Sequence, residues 1–247
     1  MAQRRESPLR ARMRVWDPEP VRSRGPAPAY SRDQIADAGI DIADEQGIDA
    51  VSMRKVAARL GTGAMSLYRY VDSKEGLVEL MADRMLGRAN WPELSGDWRE
   101  DLRTIIRGHR VAVLAHPWLS TVWAGRPAFG PNMLRGFERA MSIMDGLGLS
   151  IDEMFETIGM VNTWVDGFVR NELAVCEYFG SVDEAEVQRS MGPYVESVIR
   201  SGDYPYFSRV VIEAKTPHVD PDIRFERSLD RVIAGIEATL PQPPHPA

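Results

Sequence analysis

SMRKVAARLGTGAMSLYRYVDSK, residues Ser52–Lys74, is the stretch that decides the fold. Ser52 is a good N-cap, its hydroxyl placed to accept from a backbone N–H two or three residues on. Met53, Val56, Ala57 and Leu60 recur at helical spacing as one apolar stripe, with Arg54, Lys55 and Arg59 off it. Gly61 can take the positive φ that follows a helix end. Thr62 can cap a second helix, in which Ala64, Leu67, Tyr68 and Val71 supply the inward residues. Helices of about two turns are too short to be stable alone, so both need a longer partner. Two short helices about a glycine turn, the second ending in aromatic and cationic residues, suit a reader of the DNA major groove.

The partner lies upstream. From Ser31 to Gln46 the residues Ile35, Ala36, Gly39, Ile40, Ile42 and Ala43 form a helical stripe closed by Gly47. Ser31 followed by Gln34 is a capping-box pattern. Downstream, Ser73 opens a fourth helix whose buried face is Leu77, Val78, Leu80, Met81, Met85 and Leu86. Three helices and a connector make a helix-turn-helix domain with a lever attached.

The run TGAMSLYRYVDSKEGLVELMADRML resembles the recognition helix and following helix of the tetracycline-repressor (TetR) family, with Leu67, Tyr68, Tyr70, Val71 and Lys74 as the signature. The likeness covers Tyr30 to Leu86. It implies that Ser66, Tyr68 and Tyr70 face DNA, that Lys74 meets a phosphate, and that Arg54 reaches a base or phosphate. The full expected DNA-contacting set is Ser52, Arg54, Lys55, Thr62, Ala64, Met65, Ser66, Tyr68, Arg69, Tyr70 and Lys74. Two readings of Tyr68 stand open, a core aromatic or a DNA-facing one, whereas Tyr70 is expected to point outward. Gly63, Ala64 and Ser66 permit close approach to the groove floor but offer few base bonds.

Composition bounds the rest. The 247 residues carry a net charge of −6, yet Val51–Lys74 holds five cations against Asp72, a local +4. That distribution fits a molecule with one phosphate-facing surface. Cys176 is the sole cysteine, which excludes an intrachain disulfide. No apolar run approaches the roughly 20 residues of a membrane helix, and no signal peptide is visible, so a cytoplasmic location without membrane contact is expected. The four histidines show no metal-ligand spacing, and no GxSxG, Walker A or GxGxxG motif occurs. No enzyme activity, metal or cofactor is expected.

Residues 1–29 alternate arginines with prolines (Arg4, Arg5, Arg10, Arg12, Arg14, Arg22 and Arg24 among Pro8, Pro18, Pro20, Pro26 and Pro28), and disorder is expected there. They read either as a solvated tail or as a basic arm beside residues 30–90. Residues 241–247 are expected to be flexible.

Residues 91–240 stay helical by pattern, so the expected fold is all-α. Asp97–Ala115, Trp118–Trp123, Asn132–Leu147, Ile151–Phe179, Val187–Ser201, Tyr206–Lys215 and Phe225–Leu240 are the segments. Apolar residues nearly encircle Ile151–Phe179, which predicts burial on several faces. HPWL (His116–Leu119), GRP (Gly125–Pro127), GPN (Gly130–Asn132) and GLGLSIDE (Gly146–Glu153) resemble the TetR-type C-terminal domain. The resemblance implies a homodimer through Ile151–Phe179 and Phe225–Leu240, reading two half-sites about 34 Å apart or a multiple of that.

His109, Trp118, Trp123, Arg126, Phe129, Met133, Phe137, Met141, Met160, Trp164, Phe168 and Asn171 are the candidate ligand-binding residues. Such a Met/aromatic set reads either as core or as the lining of an apolar pocket. The positions matching the family's two metal-binding histidines hold Val122 and Thr163, which disfavours a magnesium–tetracycline complex and favours a mostly apolar compound, aromatic or lipophilic. The expected function is a dimeric repressor of a palindromic operator, released by a small-molecule effector. The alternative is a constitutive helical DNA-binding protein without an effector.

Overall fold

The computed structural model describes residues 8–17, 29–123, 129–180, 184–215 and 219–241. Helices and turns make up the fold, with no strand among the described residues. Two compact units are distinguished, Met1–Thr163 and Trp164–Ala247.

The first unit opens with α1 (Pro8–Met13) and a 3₁₀ turn, Arg14–Trp16. This differs from the disorder expected for the N-terminal stretch. Val15 is 3 % exposed, and Arg12 donates to the buried Glu79 at 2.6 Å. Arg14 reaches Asp72 at 2.9 Å. The average composition of residues 1–29 hides this short run, whose buried Val15 and two arginines find partners far along the chain. Residues 1–7 and 18–28 lie outside the described residues.

Helix α2 (Arg32–Gln46) has the expected capping box, Gln34 N–H to Ser31 Oγ at 3.1 Å and Ser31 N–H to Gln34 Oε1 at 2.9 Å. Helix α3 (Met53–Arg59) is capped by Ser52 and ends in a Schellman arrangement: Gly61 N–H bonds Ala58 O, and Thr62 N–H bonds Ala57 O. Gly61 has φ +68, a value for which a side chain would be strained.

Helix α4 is shorter than expected, Ala64–Leu67. The N–H groups of Tyr70 and Val71 both turn back to Leu67 O, so the chain leaves the helix after one turn and buries Val71. Its N-cap is Gly63, without a side-chain bond, which corrects the capping role expected of Thr62. Ser73 caps α5 (Lys74–Arg88), accepting from Gly76 N–H at 3.0 Å. Arg84 and Arg88 of α5 clasp Asp37 of α2 at 2.8 and 2.9 Å. Arg59 of α3 is tied to α2 through Glu45 and Asp41.

Helices α6 (Trp98–Ala115), α7 (Leu119–Val122) and α8 (Pro131–Met144) follow. Helix α9 (Ile151–Phe179) opens on a capping box between Ser150 and Glu153. The unit boundary falls within it. Met154, Ile158, Val161, Val165 and Val169 form a single buried stripe, whereas Ile151, Phe155 and Met160 are exposed. Burial on several faces is therefore not found in the single chain.

In the second unit come α10 (Glu184–Ser201), α11 (Pro205–Glu213) and α12 (Pro221–Thr239). Phe225, Leu229, Ile233 and Ile236 of α12 are buried, and Phe225 packs on Trp164 and Phe168 of α9 at ring distances of 5.7 and 5.3 Å. No helix among the described residues is long and apolar enough to cross a membrane.

Candidate nucleic-acid interface and effector residues

The frame of the interface is α2, α3 and α5, and α4 is the part held out from it. Only Leu67 of α4 is buried. Met65 is 82 % exposed and Tyr68 43 % exposed, so Tyr68 is not a core aromatic. Tyr70 departs from expectation. It is half-buried, its hydroxyl accepts from Arg69 Nη2 at 2.9 Å and from Tyr30 N–H at 3.4 Å, and the Arg69 guanidinium lies 4.9 Å from its ring. Tyr70 thus holds Arg69 and the start of the domain in place.

Arg54, Lys55, Arg69 and Lys74 are exposed. Lys55 Nζ bonds Gln46 at 2.6 Å, and Lys74 Nζ reaches Asp49 O at 3.4 Å, both contacts that a phosphate could replace. The Ser52 hydroxyl is occupied as a cap, accepting from Lys55 N–H at 3.3 Å. Thr62, Ala64 and Ser66 are half-buried along the same segment. Exposed cations and hydroxyls beside a projecting helix can position a duplex through its phosphates.

The candidate ligand residues fall in both units. In the first, His109 and Trp123 stack at a tilt with ring centroids 5.2 Å apart, and Phe137 meets Phe155 edge-on at 6.2 Å. Met141 is buried, Met133 half-buried, and Phe129 and Met160 exposed. In the second, Trp164 and Phe168 join Phe225, and Asn171 is exposed. Arg126 lies outside the described residues. The Trp123 indole nitrogen is buried and has no hydrogen-bond partner among the described residues.

Trp118 belongs elsewhere. It is 5 % exposed and donates its N–H to Asp44 of α2 at 2.7 Å, so it anchors α7 to α2. His116 Nδ1 lies 2.7 Å from the same Asp44 oxygen. A cavity of about 150 Å³ opens beside Trp91, Leu94, Ile105 and Arg139, none of which is among the candidate ligand residues. Asp44 and Asp83 also escaped sequence reading. The one available signal for Asp83 was that α8 begins Gly130–Pro131 with no capping side chain of its own. At the positions that match the family's metal-binding histidines, Val122 is buried and the Thr163 hydroxyl donates to Gly159 O at 2.8 Å.

Comparison with known proteins follows the same division. Residues 35–81 match the bacterial regulatory proteins of the tetR family, and residues 91–240 match the tetracyclin repressor-like C-terminal domain. The HTH-type transcriptional repressor DrrR1 of Streptomyces coeruleorubidus is 35 % identical over 92 % of this chain and 85 % of its own. Apo ActR from Streptomyces coelicolor superposes with a TM-score of 0.71 at 29 % identity, covering 87 % of this chain and 97 % of that one. ActR in complex with actinorhodin gives 0.68 at 28 % identity, over 87 % and 98 %. An exposed recognition segment on a capped three-helix frame, joined to a helical domain that matches over 150 residues, leads to one assignment: the chain belongs to the tetR family of bacterial regulatory proteins.

Proposed function

We propose that the chain is a transcriptional repressor that binds a palindromic operator as a homodimer and is released by an aromatic, mostly apolar ligand. The observation that carries the DNA half is the projection of α4, with Met65 and Tyr68 exposed beside Arg54, Lys55, Arg69 and Lys74. Such a segment has no packing role for its outward side chains, and its local charge opposes that of the whole chain. The repressor DrrR1, similar over most of the chain, supports repression as the sign.

The ligand half rests on Trp123. Its buried N–H, beside the His109 ring, would be satisfied by an acceptor oxygen of a flat guest. A quinone or ketone on an aromatic skeleton offers that acceptor and an apolar face together. ActR was seen with actinorhodin, which supports this class. Release then follows if ligand favours a spacing of the two α4 segments that no longer matches adjacent grooves.

A duplex selected by the protein from a random-sequence pool tests the reading. The proposal expects an inverted repeat and a complex mass of two chains per duplex. Selection of a single, asymmetric half-site by a monomer would refute the dimeric operator.

A further inference from the structure

We infer that Asp83 is the positioning residue that couples the connecting helix α5 to α8, so that a displacement of α8 is delivered to the DNA-binding helices. Helix α8 starts Gly130–Pro131–Asn132–Met133 and has no side-chain cap of its own. Pro131 lacks an N–H, leaving the amides of Asn132 and Met133 as the first unsatisfied donors. Both donate to Asp83 Oδ1 at 2.9 Å, and Asn132 Nδ2 donates to Asp83 Oδ2 at 2.8 Å. One carboxylate from another helix thus supplies the entire cap, with its charge at the positive end of the α8 dipole.

The fit is closed from both sides. Asp83 is 6 % exposed. A Cβ on Gly130 would fall on the Asp83 side chain, and one on Gly87 would lie 2.7 Å from Asn132 Nδ2. A buried carboxylate that lost these donors would be left uncompensated, so partial separation is unfavourable and the contact has two discrete states, made or broken. The rest of α5 is fixed to α2, where Arg84 and Arg88 bind Asp37, and to the N-terminal α1, whose Arg12 donates to Glu79. Helix α8 in turn carries Met133, Phe137 and Met141. The inference rests on the effector reading of those three residues.

Two readouts test it on the full chain. The first is amide hydrogen exchange with and without the selected duplex. In the wild type, duplex binding slows exchange at residues 131–134 as well as at α3–α4. In D83N the α3–α4 response remains and the α8 response is lost. The second is actinorhodin binding, followed by tryptophan quenching. Bound duplex weakens it by about tenfold in the wild type, and in D83N that ratio falls toward one while duplex affinity alone stays within about threefold. An α8 response that survives in D83N, or an unchanged ratio, overturns the inference. If actinorhodin does not quench the wild type, the effector reading fails for this ligand, and the exchange arm still decides the role of Asp83. Should D83N fail to fold, N132A keeps both backbone bonds and decides by the same readouts: a partial loss of the α8 response supports the link, and none refutes it.

Discussion

The indole N–H of Trp118 donates to Asp44 at 2.7 Å, joining the residue before α7 to the last turn of α2. His116 Nδ1 meets the same oxygen at 2.7 Å. One carboxylate of the DNA-binding helices therefore receives two residues of the HPWL motif, and α7 is seated on the helix that also supports α3 and α5.

W118F should keep the ring and lose the bond. Asp44 is exposed, so water can take the vacated place, and the loss should be the net worth of one hydrogen bond, about 0.5–1.5 kcal/mol. Urea unfolding followed by circular dichroism measures it, and an unchanged midpoint would show that the bond contributes nothing net.

At the interface, K74A should reduce the slope of log Kd against log salt by about 0.9, the value of one lost phosphate contact. R59A should behave differently. Its guanidinium is held by Glu45 and Asp41 of α2, so the variant should lose stability and leave the slope unchanged. Fluorescence anisotropy across a sodium chloride series separates the two. Equal slope changes in both variants would contradict the placement of Arg59 as a structural residue.

Acid should weaken the α2–α5 clasp. Burial pushes the Asp37 carboxyl up, but the hydrogen bond from Arg84 and the charge of Arg88 outweigh it, and the group is held below its ordinary value. A carboxylate depressed on folding contributes stability that is complete above its unfolded value, about 4, and lost as the pH falls below it. D37N should therefore lower stability at neutral pH and flatten the decline below about pH 4. A parallel downward shift of the whole curve in thermal scans would count against this assignment.

In the proposed dimer α12 would use a face other than its apolar stripe, because Phe225, Leu229, Ile233 and Ile236 are already covered within the chain. A Cβ at Gly235 would meet nothing within 4 Å. G235W should thus leave the single chain folded and obstruct a second copy, shifting the light-scattering mass toward a monomer. A wild-type monomer at micromolar concentration would remove the premise.

What could be read from the sequence was local. Ser31, Ser52 and Ser73 cap the helices they were expected to start, because a cap depends on residues two or three positions away. Gly61 could be placed for the same reason. The short α4 could not, since its end is set by the burial of Val71 and the capture of two amides by Leu67 O. Nor could the folded arm at Pro8–Asp17, whose partners Asp72 and Glu79 lie 58 and 67 residues away. In the larger domain, residue type alone did not separate Trp118, bonded to Asp44, from Trp123, whose buried N–H has no partner among the described residues. Tyr70 was expected outside from the resemblance, and it is the bonds to Arg69 and Tyr30 that draw it in.

The central claim, that a ligand releases the repressor from its operator, is tested most directly by titrating actinorhodin and related aromatic quinones into the complex with its selected duplex. Anisotropy should fall to that of free DNA over the same concentrations at which tryptophan fluorescence is quenched. Quenching that saturates while the duplex stays bound, for every compound that binds, would contradict it and leave a DNA-binding protein without a releasing effector.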